Sequence, residues 1–296
     1  MAKAPRSLAG KVVAITGGAR GIGRATAAAL IAQGARVAIG DIEIQLAEQT
    51  AQELAGGTIG LPLDVTDRTS FENFLNAVED QLGPLDVLIN NAGIMPIGPF
   101  IEESDATART MVDINLHGVI IGSKLALQRF MPRGHGHLVN IASAAGKAGF
   151  PSGATYCATK HAVVGLSESI RAEVNETDIG VSVVMPVVVH TELGSGLPET
   201  RGFKAVEVED VAGAIIDAIQ YDRYEVFVPK STKTLFRMKA IVPARVMEAM
   251  ARFLKGDQVL ANPDRGARAA YEARLAATIG GHEAVVTERE KEKETV

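Results

Sequence analysis

Tyr156 and Lys160 stand four residues apart in Tyr-Cys-Ala-Thr-Lys, and Ser143 lies thirteen residues before the tyrosine. On a helix, four residues turn the chain through about 400°, so the phenol and the ammonium share one face. A phenol ordinarily titrates near ~10. An ammonium held beside it favours phenolate, which lets tyrosine donate and accept protons closer to neutral pH. A serine hydroxyl nearby would steady a substrate oxygen by hydrogen bonding. Any helix can carry a tyrosine and a lysine at this spacing, so the reading depends on what the rest of the chain places around them.

A second constellation lies near the start, in Thr16-Gly-Gly-Ala-Arg-Gly-Ile-Gly23. Gly17, Gly21 and Gly23 fall between an apolar run and an amphipathic segment. There, backbone N–H groups and a helix N-terminus can cradle a pyrophosphate with no side chain in the way. The spacing G-x-x-x-G-x-G differs from the commonest dinucleotide fingerprint, G-x-G-x-x-G. Asp41 ends the next apolar run, eighteen residues beyond Gly23. A carboxylate there can accept both ribose hydroxyls of NAD and would repel a 2′-phosphate. It can also cap the helix that follows, and the two roles are compatible. Arg20, within the glycine loop, dissents, because a guanidinium there could pair with a 2′-phosphate. The direct carboxylate clash weighs more, so NAD is expected over NADP.

These residues need a scaffold, and the apolar patterning supplies one. Short runs rich in Val and Ile read as buried strands at Lys11–Thr16, Ala35–Gly40, Thr58–Leu63, Leu85–Ile89, Gly136–Ala142, Gly180–Met185 and Glu225–Val228. Helical periodicity covers Ile22–Gln33, Ile42–Leu54, Ser70–Leu82, Glu103–Phe130, Ala154–Glu176 and Val208–Ile219. Such alternation predicts an α/β fold, a doubly wound, Rossmann-type, seven-stranded parallel sheet with helices on both faces. Ligands bind such sheets at the carboxyl ends of the strands, where every motif above falls.

The glycine loop, Asn90-Asn-Ala-Gly93, Asn115, Ser143 and Tyr156-x-x-x-Lys160 stand in order at successive strand ends. Together they resemble the classical short-chain dehydrogenase/reductase family over roughly residues 8–230. The resemblance implies Tyr156 as acid/base and Lys160 as the group that tunes it and binds the nicotinamide ribose. Ser143 would hold the substrate oxygen, and Asn115 would hold a water linking Lys160 to solvent. On the cofactor side, Gly17, Arg20, Gly21, Ile22 and Gly23 would meet the pyrophosphate end. Asp41 would take the ribose, Asp64 and Val65 the adenine, Asn91, Ala92 and Gly93 the adenosine side, and Val189 and Thr191 the carboxamide. One departure is Met185-Pro-Val-Val-Val-His-Thr191, where relatives usually have Pro-Gly. Val187 does not easily take positive φ, so this loop is expected to run differently.

The resemblance thus implies an NAD(H)-dependent alcohol dehydrogenase or ketone reductase. A nucleotide-sugar epimerase or dehydratase would want a G-x-x-G-x-x-G loop and a longer sugar domain. A silent dinucleotide sensor would have no need of the full Ser-Tyr-Lys-Asn set. NADPH-dependent carbonyl or acyl reduction is the alternative chemistry.

The chain has 296 residues, 47% hydrophobic and 22% charged, with net charge −5, so no nucleic-acid partner is expected. A single cysteine, Cys157, excludes an internal disulfide and fits a reducing compartment. No secretory signal or spanning run is read, which makes a cytoplasmic location the default. His135 and His137, in Arg-Gly-His-Gly-His, read as turn residues before a strand rather than a metal pair.

Beyond residue 230 a helical extension is expected to residue 280, similar to the branch of the family that acts on lipophilic alcohols, ketones or acyl chains. Lys233, Arg237, Lys239, Arg245, Arg252 and Lys255 intersperse apolar residues there, and Pro243 should divide the stretch in two. A further helix is predicted over Pro263–Thr278. The extension could wall the pocket, join subunits of a homo-oligomer, or touch a membrane surface, and packing is preferred over membrane contact. Residues 281–296 alternate acids and bases without a core pattern and are expected to be disordered.

Overall fold

The computed structural model describes residues 4–199, 204–238 and 242–294. Seven strands carry the apolar runs: β1 (Val12–Thr16), β2 (Arg36–Asp41), β3 (Ile59–Pro62), β4 (Val87–Asn90), β5 (His135–Ile141), β6 (Asp178–Pro186) and β7 (Glu225–Val228). They form one sheet in the order β3-β2-β1-β4-β5-β6-β7. Every neighbouring pair is parallel.

The helices are α1 (Gly21–Ala32), α2 (Ile44–Leu54), α3 (Arg68–Leu82), α4 (Asp105–Val112), α5 (Gly118–Phe130), α6 (Ala154–Glu173), α7 (Val208–Tyr221), α8 (Thr232–Met238), α9 (Ala244–Phe253) and α10 (Arg265–Glu294). Successive side chains of a strand point to opposite faces, so a strand apolar throughout feeds two cores. In β1, Val13 and Ile15 pack with Leu30 of α1 and Ile215 of α7. Val12 and Ala14 pack on the other face with Phe71 and Phe74 of α3 and Leu125 of α5. The doubly wound expectation holds.

β1 pairs with β2 on one side and β4 on the other, so the chain leaves these central strands in opposite directions. That reversal opens a crevice at the carboxyl ends of β1 and β4.

Three regions depart from the sequence reading. The long helix expected over Glu103–Phe130 is divided into α4 and α5 by five residues of π-helix, Asp113–His117. A π turn rotates its residues out of α register, and here it carries Asn115, which is fully buried. Periodicity alone could not reveal it, because the helical direction continues through the insertion.

His137 is not in a turn. It lies within β5, is buried, and its Nε2 is 2.8 Å from Ser182 Oγ. Gly134 and Gly136 suggested a turn, but His135 and His137 both lie in the strand. The tail read as disordered is instead helical, with α10 running through Glu294. Glu, Lys, Arg and Ala are good helix formers, and lengthening an existing helix needs no new nucleus. Thr295 and Val296 lie outside the described residues.

The break at Pro243 is as read, since α8 ends at Met238 and α9 starts at Ala244. Lys239 of the basic stretch lies outside the described residues. Val246 and Phe253 of α9 are exposed. Among the described residues no helix is long and apolar enough to cross a membrane.

Candidate active site

The loop after β1 is built for close approach of backbone. Gly17 has φ 61°, a conformation that L side chains avoid, and a Cβ there would stand 2.9 Å from Ala92 Cα. A Cβ at Gly23 would run into the Gly17 carbonyl and stand 2.8 Å from Asn91 Nδ2. Thr16 Oγ1 accepts from the Asn91 and Ala92 amides at 2.9 and 3.0 Å. Asn91 Nδ2 in turn donates to the Thr16 and Gly17 carbonyls at 2.9 and 3.0 Å. Asn91 is therefore a strut between two strand ends as well as a wall of the crevice. No side chain caps α1, which leaves its first N–H groups facing the crevice. Bare glycine, an uncapped helix and a rigid rim are what a pyrophosphate needs, so the cradle fits a dinucleotide.

Asp41, at the end of β2, accepts from Ala19 N at 3.3 Å and Glu43 N at 3.2 Å. It ties the glycine loop to the entry of α2. Burial raises its pKa, opposed by these two backbone hydrogen bonds. Arg20 is engaged elsewhere. Its Nη2 donates to Glu43 Oε2 at 2.7 Å, and its Nη1 lies 3.9 Å from Glu192 Oε2. Asp64 Oδ1 accepts from Thr66 N and Oγ1 at 2.9 and 2.7 Å, and its own amide donates to Ser70 Oγ at 3.0 Å. Asp64 and Val65 thus hold a rigid turn at the same crevice.

Ser143 follows β5, and its Oγ accepts from Ala145 N at 3.1 Å. Tyr156 and Lys160 rise from the first turns of α6, both buried. The Ser143 hydroxyl is close enough to the phenol to pull its pKa down by hydrogen bonding, yet burial outweighs it and the net shift is upward. Lys160 Nζ donates to the Ile141 carbonyl at 3.0 Å and lies 5.8 Å from the centre of the Tyr156 ring. Burial lowers the ammonium to about 8. The spacing suggested an ammonium-tuned phenolate; around this pair both groups are desolvated, and burial penalises the charged form of each.

Asn115 clamps the chain after β4. Its Oδ1 accepts from Ile94 N and its Nδ2 donates to Ile94 O, each at 2.8 Å. A Cβ at Gly93 would stand 3.1 Å from Asn115 Oδ1 and 3.6 Å from Lys160 Nζ, so these two polar ends converge on one small space. Ile22, Ala92, Val189 and Thr191 line the same crevice. Val187 does not adopt positive φ, and its amide donates to Val228 O at 2.9 Å. His190 faces away, with Nδ1 at 2.6 Å from Glu207 Oε1 on the exposed side. The Cys157 thiol accepts from Phe150 N at 3.4 Å and is buried.

The crevice and the chamber beside Tyr156 form one cavity of about 1020 Å³, part of whose lining comes from α10. Tyr271 and Arg268 of α10 were not singled out by sequence reasoning. Arg268, only 1% exposed, donates to the carbonyls of Leu193, Ser195 and Met95 at 2.9, 3.2 and 2.7 Å. Arg274 pairs with Glu192, and His282 Nε2 lies 3.5 Å from Asp113 Oδ2. Leu275, Val259 and Leu260 give the chamber a buried apolar lining. Glu43 and Glu192 were also missed, although Glu43 lies two residues beyond Asp41.

Comparison with known proteins agrees with this geometry. Residues 11–202 match the family model described as short chain dehydrogenase. A sorbitol dehydrogenase of Cereibacter sphaeroides is 36% identical over 191 residues, covering 64% of this chain and 75% of that protein. Human 17-beta-hydroxysteroid dehydrogenase 13 is 29% identical over 253 residues, covering 83% and 84%. A short chain dehydrogenase/reductase from Burkholderia phymatum, solved in complex with NAD, superposes with a TM-score of 0.72 at 25% identity, covering 78% of this chain and 93% of that one.

Proposed function

The chain belongs to the short-chain dehydrogenase family of oxidoreductases, and from that premise we propose that it interconverts a lipophilic secondary alcohol and its ketone with NAD(H). The observation that carries the proposal is the convergence of Ser143, Tyr156 and Lys160 at the join between a dinucleotide cradle and an apolar chamber. A nicotinamide, when bound, supplies the hydride acceptor or donor. The protein's part is to move one proton and to hold the reacting carbon still.

Tyr156 takes the hydroxyl proton in oxidation and returns it in reduction. Ser143 donates to the substrate oxygen and fixes its distance from the phenol. Lys160, about 8 in its present surroundings, is within easy reach of proton exchange near neutral pH. Its ammonium would bind the nicotinamide ribose. Asn115 would hold the relay that resupplies the proton, since its carbonyl oxygen and Lys160 Nζ share the space beside Gly93.

NAD is favoured over NADP on two grounds. Asp41, at the end of β2, would set a carboxylate against a 2′-phosphate. Arg20, which could have welcomed that phosphate, is held by Glu43 and faces Glu192. The apolar chamber lining supports a lipophilic substrate. Relatives named for hydroxysteroids, from Homo sapiens and Mycobacterium tuberculosis, point the same way.

The deciding experiment is a panel of secondary alcohols and ketones, aliphatic, aromatic and steroidal. Each is read by the near-ultraviolet absorbance of the reduced cofactor, with NAD(H) and NADP(H) in parallel. Turnover of apolar members with NAD(H) is expected. Intact NADH binding with no turnover across the panel would leave a silent dinucleotide-binding protein instead.

A further inference from the structure

Both backbone polar groups of Met95, just past β4, are taken by α10. Tyr271 Oη accepts the Met95 N–H at 2.8 Å, and Arg268 Nη2 donates to the Met95 carbonyl at 2.7 Å. The Arg268 guanidinium also lies over the Tyr271 ring, 4.7 Å from its centre. The ring is fixed by a stacked cation, which is itself fixed by the carbonyls of Leu193 and Ser195. Tyr271 is thereby held in the wall at both its hydroxyl and its ring face.

A phenol has one proton to give and lone pairs to receive. At Tyr271 a lone pair receives the Met95 amide, and among the described residues no acceptor takes the phenolic proton. Both tyrosines line the same cavity, and negative charge on Tyr271 acts to raise the Tyr156 pKa. Burial raises the Tyr271 pKa, so the group stays a donor through the neutral range. Leu275, Val259 and Leu260, all buried, line the same cavity, and Arg274, Thr278 and His282 of α10 add polar groups to it. An oriented donor in a largely apolar chamber helps fix which way round its ligand lies.

We propose that Tyr271 sets substrate specificity, donating to a second oxygen on an otherwise apolar substrate whose reacting oxygen sits at Ser143 and Tyr156. The placement of the reacting oxygen rests on the oxidoreductase reading above; the donor on α10 does not. The substrate class is then an apolar, bifunctional one: a secondary alcohol or ketone with a second hydroxyl, carbonyl or ether oxygen. Simple apolar alcohols would enter the same chamber with less orientation. A site built to hydrogen-bond a group discriminates more sharply than one built from apolar contact alone.

Two matched pairs of rigid probes test this: decalol with methoxydecalol, and hydroxyandrostane with methoxyhydroxyandrostane. The added ether oxygen accepts a hydrogen bond and cannot be oxidised or reduced in its place. Dissociation constants are measured by calorimetry on the full-length protein, with and without NADH, for wild type and Tyr271→Phe.

In at least one pair, wild type should bind the methoxy member about three- to tenfold more tightly. Tyr271→Phe should close that gap and leave the simple alcohol's affinity unchanged. No gap in either pair for wild type, or no binding of any probe, overturns the proposal without recourse to the variant. Equal weakening of both members in the variant overturns it too, since that marks a purely structural role. Turnover of the same probes with NAD is scored separately. A persistent gap without turnover would sink the oxidoreductase reading and leave the Tyr271 assignment standing.

Discussion

Arg20 is held by Glu43 at 2.7 Å, at the edge of the adenosine end of the crevice. The guanidinium that would otherwise attract a 2′-phosphate is occupied by a neighbouring acid. Both side chains are substantially exposed, so the pair itself contributes little to stability, typically 0.2–1 kcal/mol for such pairs. Its consequence is for ligand choice.

Glu43→Ala should therefore free Arg20 and raise the affinity for NADPH relative to NADH by roughly two- to fivefold. Arg20→Ala in that background should cancel the gain. Asp41→Ala should relax discrimination further, because it removes the clash itself. Fluorescence titration of both reduced cofactors against the three variants measures this. Unchanged ratios in Glu43→Ala and Asp41→Ala together would show that the acids do not read the ribose.

Tyr156→Phe removes the proton donor and keeps the ring. Turnover should fall by about 10²–10⁴-fold, the range for loss of a general acid/base, with NADH affinity unchanged. Lys160→Met should weaken turnover and dinucleotide binding together, since its ammonium is assigned to both. Steady-state kinetics beside cofactor titration separate the two patterns.

His137 gives a pH dependence unconnected with catalysis. Ser182 Oγ donates to Arg223 O at 2.7 Å, so it can only accept from His137, which fixes the proton on Nε2. Nδ1 is buried without a partner, and a second proton there would be a buried charge. Burial lowers the folded pKa to about 4 from 6.5. Between these values the unfolded chain binds the extra proton, so stability is complete above pH 6.5 and falls as pH drops toward 4. The loss should reach at most about 3 kcal/mol. His137→Gln cannot titrate, and urea unfolding should show a correspondingly flatter acid limb. An identical limb in the variant would reject this assignment.

Arg268→Met should leave three carbonyls, those of Met95, Leu193 and Ser195, without their donor. A destabilisation of roughly 2–4 kcal/mol is expected from losing a buried charged donor. The KM for an apolar substrate should rise, because Met95 and Leu193 line the chamber. Chemical denaturation and KM measurements check both parts.

The scaffold and the glycine loop after β1 were legible because their signals are local. Strands such as Val12–Thr16 are buried on both faces and read as apolar throughout, and Gly17 and Gly23 are dictated by contacts a side chain would block. What escaped was set by partners distant in sequence. Arg268 and Tyr271 sit three residues apart in a predicted helix, but their common target, Met95, is about 175 residues away. The π turn at Asn115 leaves no trace in periodicity. The burial that raises the Tyr156 pKa left no mark in the sequence, because spacing reveals which groups are neighbours and not how dry they are.

Part of the chamber wall comes from α10, late in the chain, while the cradle comes from β1 and α1. On the proposed reading, substitutions on the cavity-facing side of α10 would change what the chamber accepts while leaving the segment that handles the dinucleotide untouched.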